Sequence, residues 1–153
     1  MRAPVTACPQ DMPRAPLFFR DFDAGAATTR EVLLALRVAL HGNGQAPDLV
    51  SRVEQALAEV LNNIAEHAYR GHPPGPVSLK VVALADALLI EVADHGAPLP
   101  HDLPGNPDLP PLDVTLPEMP EGGFGWPLIL RQAQRVGYRR QGQINRLQLV
   151  FFG

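Results

Sequence analysis

Apolar residues recur along this chain with two different periods, and the places where one gives way to the other mark out its elements. Leu17-Phe18-Phe19-Arg20-Asp21-Phe22 is a short apolar and aromatic run ahead of Gly25 and predicts a strand. Beyond it the spacing is helical: Val32, Leu33, Leu36 and Leu40 recur until Gly42-Asn43-Gly44 stops them, and Thr28-Thr29-Arg30-Glu31 has the Thr-x-x-Glu form of a capping box. Pro47 opens a second, longer helix that runs to about Tyr69. After Gly71-His72-Pro73-Pro74-Gly75, the runs Val77 to Ala83 and Leu88 to Val92 flank a turn near Asp86 and predict a hairpin, with Asp94 just beyond its second strand. A helix from Trp126 to Val136, ended by Gly137, precedes a final hairpin of Tyr138 to Gln141 and Ile144 to Phe152, turning at Gly142-Gln143. Strand, two helices, two strands, long loop, helix, two strands is the order of an α+β two-layer sandwich, with the helices on one face of a mainly antiparallel sheet.

The long loop changes this picture. From Pro98 to Pro120 there are eight prolines and almost no periodicity, too long a stretch for an ordinary connection, so the segment at about 98–121 is either a functional lid or disordered. Residues 1–16 hold four prolines and no apolar run of signal-peptide length, and are expected to form a flexible N-terminal tail before a single domain over 17–153. The 153 residues, 46% hydrophobic and 19% charged, fall within the globular range. With a net charge of −3 and Arg139, Arg140 and Arg146 as the only basic cluster, nucleic acid is not an expected direct partner. No segment approaches the ~20 apolar residues that cross a bilayer, and Cys8 alone excludes an intrachain disulfide and favours a cytoplasmic setting.

The second helix carries the first candidate chemistry. Val53, Ala56, Leu57, Val60, Leu61, Ile64 and Ala68 form one apolar arc on a helical wheel, whereas Glu59, Asn63 and His67 stack at i, i+4, i+8 along its border and Asn62 faces away. Such residues are ordinary on an amphipathic surface. Asparagine is nonetheless a poor helix-interior residue, and beside buried positions its amide needs a partner. The amide oxygen of Asn63 is a hard donor suited to Mg²⁺. The five histidines have no ligand spacing that would make a metal hydrolase.

Two glycine-containing segments complete the set. Asp94-His95-Gly96-Ala97-Pro98 follows a predicted strand: the carboxylate can accept a hydrogen bond from an exocyclic amine, and Gly96 allows a flat ring near the backbone. Glu121-Gly122-Gly123-Phe124-Gly125 leads into a predicted helix, where free N–H groups form an anion site. In this order the three segments resemble the N, G1 and G2 boxes of the histidine-kinase-like ATPase superfamily, which includes gyrase, the large heat-shock chaperone and mismatch-repair proteins, and the implied architecture is the Bergerat fold. Glu59 to Tyr69 and Glu121 to Ile129 look most like the anti-sigma-factor serine/threonine kinases, and the similarity covers roughly residues 17–152. Trp126-Pro127 after the last glycine and the proline-rich segment depart from that branch.

What the resemblance implies is an ATP site using Mg²⁺. Asn63 would ligate the metal, Glu59 would act as general base, Asp94 would bind the adenine amine, and Gly96 would shape its pocket. His67 would border the nucleotide, and Gly122, Gly123, Phe124 and Gly125 would meet the phosphates beneath a lid. The implied function is an anti-sigma regulatory factor that binds a sigma factor and phosphorylates an anti-anti-sigma antagonist, with a homodimer left open. The alternative is a non-catalytic ATP-binding module that switches partners.

Overall fold

Residues 15–98 and 126–153 are described by the structure, a computed structural model. The predicted tail up to residue 14, most of the predicted lid, and Gly122, Gly123, Phe124 and Gly125 lie outside the described residues. The elements are β1 (Phe18–Asp23), α1 (Ala26–Gly42), α2 (Pro47–Asn63), a π-helical segment (Ile64–Ala68), β2 (Pro76–Ala83), β3 (Ala87–Asp94), α3 (Trp126–Gln132), β4 (Arg135–Gln141) and β5 (Ile144–Phe152). The strands form one antiparallel sheet in the order β1-β2-β3-β5-β4. This is the expected α+β sandwich.

Alternation along each strand decides which face the helices cover. Val77, Leu79 and Val81 of β2, Leu88, Ile90 and Val92 of β3, and Leu147, Leu149 and Phe151 of β5 are all buried, and in register they form adjoining rows of one face. Against them α2 places Val53, Ala56, Leu57, Val60 and Leu61, the arc anticipated from the sequence, and α2 packs in turn on α1 and α3. Each fully buried side chain of this kind contributes about 1.5–3 kcal/mol relative to exposure. The opposite face is polar at Lys80, Glu91, Arg146 and Gln148; there the Arg146 guanidinium donates to Glu91 at 2.9 Å.

Three boundaries differ from expectation, each for a local reason. The first helix starts at Ala26 with Gly25 as its N-cap, so no capping box forms. The Thr28 hydroxyl instead lies 2.6 Å from the Asp23 carbonyl and 3.1 Å from that of Gly25, tying the first turn to the end of β1. The second helix changes pitch after Asn63 and ends as the π-helical segment. The third helix stops at Gln132, and Gly137 lies inside β4 rather than ending a helix. Val136 is needed on the core face opposite Leu149, and the Gln134 N–H donates to Val150 at 2.9 Å, so sheet pairing takes over from helix two residues before Val136. The Arg52 guanidinium donates to the Phe152 carbonyl at 2.7 Å and reaches the Gln132 carbonyl at 3.4 Å, which holds the end of α3 against the last strand. Gly142, with φ of 60°, makes the expected turn between β4 and β5.

Leu57 has no exposed surface whereas Val38 on α1 is 72% exposed. Leu57→Ala should lower the unfolding free energy by about 2–5 kcal/mol, and Val38→Ala should change it by less than ~0.5 kcal/mol. Urea unfolding followed by circular dichroism checks both.

Candidate functional site

The strand order brings the chemistry together. Because β5 enters the sheet between β3 and β4, Asn145 comes to lie directly opposite Asp94, and Arg140 opposite Asn145. Asp94 is the last residue of β3 and Asn145 the second of β5, both on the core face, where they are 6% and 4% exposed. A carboxylate and an amide at such depth need partners, and here they are each other's: Asn145 Nδ2 donates to Asp94 Oδ1 at 2.9 Å.

The turn after Asp94 folds back onto the same pair. The Gly96 N–H donates to Asp94 Oδ1 at 2.9 Å, and Asn145 Nδ2 also reaches the carbonyls of Gly96 at 3.2 Å and Ala97 at 2.9 Å. The amide oxygen of Asn145 accepts from the Tyr138 hydroxyl and from Arg140 Nη1, both at 2.7 Å, and Arg140 Nη1 donates to the Gly96 carbonyl at 3.0 Å. Among the described residues both hydrogen bonds to the Asp94 carboxylate fall on Oδ1, and Oδ2 receives none.

From the other side the turn is held by the end of the second helix. The Ala97 N–H donates to the Ala68 carbonyl at 2.7 Å, and the Tyr69 hydroxyl donates to the Pro76 carbonyl at 2.7 Å while accepting from the His95 N–H at 2.8 Å. Two glycines make this approach feasible. A Cβ on Gly96 would sit 2.4 Å from the Ala68 carbonyl oxygen, and one on Gly75 would sit 2.2 Å from the Tyr69 ring. Gly96 therefore shapes the turn through close contact with the helix end. Tyr69 seals it, and burial pushes its hydroxyl above the usual 10.0, with the His95 N–H acting in the opposite direction.

Burial likewise pushes the Asp94 carboxyl above the usual 3.8. The hydrogen bonds from Asn145 and Gly96, and the nearby Arg140 and His95, favour the ionised form and limit the rise. The result is a carboxylate fixed at one oxygen, with the other available to a donor.

The residues anticipated on the second helix divide at the change of pitch. Glu59 and Asn63 lie one α-helical turn apart on α2, both partly exposed, and Asn62 is exposed as expected. His67 falls in the π-helical segment, where i→i+5 bonding widens the turn, beyond the α-helical part that carries Glu59 and Asn63. Its Nε2 lies 3.7 Å from Glu66 Oε2. Among the described residues no three His, Cys, Asp or Glu side chains are grouped so as to hold a metal. Among the same residues no helix is long and apolar enough to cross a membrane.

Sequence reasoning missed Asn145, Arg140, Tyr138 and Tyr69. A signal for Asn145 was present: it shares the alternation of Leu147, Leu149 and Phe151, so it is a polar residue at a core-facing position, which calls for an explanation wherever it occurs.

The family model described as the histidine kinase-like ATPase domain matches residues 22–151. No curated protein matches the chain. Among solved structures, the chain is similar to the RsbU and RsbW domains of Rv1364c from Mycobacterium tuberculosis, with a TM-score of 0.62 and 17% identity, over 92% of this chain and 32% of that one. It thus spans about a third of that neighbour's length. It is also similar to the catalytic domain of the histidine kinase ThkA, with a TM-score of 0.52 and 14% identity, over 88% of this chain and 97% of that one. At these identities the structural likeness bears on fold.

The raised Asp94 carboxyl has a signed consequence for stability. The folded state binds this proton more tightly than the unfolded chain does, so the stabilisation is complete below the usual 3.8 and is lost as pH rises through the higher folded value. Asp94→Asn should remove that falling slope from a plot of unfolding free energy against pH. Denaturant titrations across the acid range measure it.

Proposed function

The chain belongs to the histidine kinase-like ATPase domain family, and from that premise we propose that it binds Mg-ATP at the Asp94 end of the sheet and transfers a phosphoryl group to a serine of a partner protein. The observation that carries the nucleotide assignment is the half-satisfied carboxylate of Asp94: Oδ1 is held by the Gly96 N–H and Asn145, and Oδ2 is left as an acceptor for an exocyclic amine. Adenine offers such an amine where guanine presents a carbonyl.

In this reading Gly96 keeps the turn low enough for a ring to lie over it, and His67 borders the nucleotide from the end of the second helix. The Asn63 amide supplies one oxygen to Mg²⁺, and Gly122, Gly123, Phe124 and Gly125 receive the phosphates, with the segment at about 98–121 as the lid. Bound Mg-ATP would supply the phosphoryl group and the charge neutralisation on which transfer mainly depends. Glu59, one turn before Asn63 on α2, would accept the proton of the incoming serine hydroxyl, with ADP as the leaving group of the transfer.

The partners follow from the resemblance of Glu59–Tyr69 and Glu121–Ile129 to anti-sigma-factor serine/threonine kinases: a sigma factor that the chain sequesters, and an anti-anti-sigma antagonist that it phosphorylates. The RsbW domain of the mycobacterial neighbour supports a partner-switching role. Glu59→Ala should retain ATP binding and lower antagonist phosphorylation by about 10²-fold or more, measured with labelled ATP and purified candidate antagonists. Full transfer without Glu59 would remove its role as base. ATP binding without transfer by the unaltered protein would leave a non-catalytic partner-switching module.

A further inference from the structure

We propose that Asn145 is a positioning residue that sets specificity at the Asp94 site, by holding Asp94 Oδ1 and the carbonyls of Gly96 and Ala97 so that Asp94 Oδ2 is the carboxylate oxygen presented to a ligand. The inference rests on the nucleotide reading above and adds to it the residue that makes the site selective.

Arg140 fixes the orientation of the Asn145 amide. A guanidinium has donors and no acceptor, so the Asn145 atom 2.7 Å from Arg140 Nη1 must be the oxygen, and the nitrogen must face Asp94. The two amide hydrogens then serve Asp94 Oδ1 and the carbonyls of Gly96 and Ala97. The donors of the turn are also used: His95 N–H to Tyr69, Gly96 N–H to Asp94 Oδ1, and Ala97 N–H to the Ala68 carbonyl. The backbone N–H groups from His95 to Ala97 are thus spent, and the carbonyls of Gly96 and Ala97 each already accept a donor. Asp94 Oδ2 is an acceptor, so the site takes an N–H donor and rejects a carbonyl, which would face a carboxylate oxygen with no proton between them.

Asn145 also affects whether that oxygen carries charge. The charged or titratable groups facing Asp94 are Arg140 from β4, His95 from the turn and Tyr69 from the end of the second helix; Asn145 supplies the side-chain hydrogen bond that favours the ionised form. Asn145→Asp conserves shape but replaces the donor with an oxygen, so two carboxyl groups must share a proton at the position the amide hydrogen occupied. Arg140→Ala leaves the amide in place and removes its lock. Because the Arg140 side chain reaches the site from an exposed position, this variant remains informative if Asn145→Asp does not fold.

The experiment is calorimetric titration of ATP and GTP into the full chain and both variants with Mg²⁺ across the pH range, together with carboxyl ¹³C titration of Asp94 without nucleotide. Asn145→Asp is expected to bind ATP roughly ten-fold more weakly and to lose a similar factor of preference over GTP, with its ATP affinity and the Asp94 titration both moving to higher pH. Arg140→Ala should shift all three in the same direction by less. An unaltered protein with no preference for ATP would overturn both the nucleotide reading and this inference. If that preference is present but persists in both variants, with the Asp94 titration unmoved, the role of Asn145 is overturned and the nucleotide reading stands. A uniform loss of affinity for both nucleotides would mark a residue that only supports the fold, and would also overturn it.

Discussion

A carboxylate on the core face of a sheet is costly unless its charge is met, and the hydrogen bond between Asn145 and Asp94 is where this molecule meets it. The pair exists because β5 lies between β3 and β4 in register, setting Asp94 against Asn145 and Asn145 against Arg140 across three strands. Sliding β5 by one residue would turn Asn145 to the open face and leave Asp94 without its partner. The apolar rows of Leu88, Ile90 and Val92 against Phe151, Leu149 and Leu147 forbid such a slip. Core packing thus fixes the polar pair, and among the described residues the second carboxylate oxygen receives no donor.

The other half of the arrangement comes from the second helix. Its α-helical part buries the apolar arc and presents Glu59 and Asn63 at the border, and its end at Ala68 leaves that carbonyl, like the last ones of any helix, to receive the Ala97 N–H. Had regular α-helix continued, that carbonyl would be directed along the helix ladder. A single continuous element therefore carries the proposed metal and base positions at one point and the support for the Asp94 turn at another. Gly96 permits the contact, since any Cβ there would press on the helix backbone.

Much of this was legible in the sequence. The alternation in β2, β3 and β5 and the helical arc from Val53 to Ile64 specify the sandwich, because burial enforces both periods, and Asp94 and Gly96 announce a turn at a strand end. The boundaries read less clearly. Val136 fits a helical continuation of α3 as well as it fits a strand, and only pairing with Leu149 decides between them. Thr28 and Glu31 form a capping pattern that the structure sets aside, because the chain enters α1 earlier, at Gly25. The π-helical segment has no simple pattern, so the change of pitch before His67 is not visible in the sequence. Asn145, Arg140 and Tyr138 were illegible as a group because their convergence on Asp94 is a property of strand order, which no local pattern states.

The central claim is that Asp94 Oδ2 receives the amine of adenine. Inosine triphosphate differs from ATP by a carbonyl where that amine stands, and competition between the two for the unaltered protein isolates this contact from every contribution of ribose, phosphate and metal. The account predicts that ATP binds at least roughly ten-fold more tightly than inosine triphosphate. Equal affinities would contradict it.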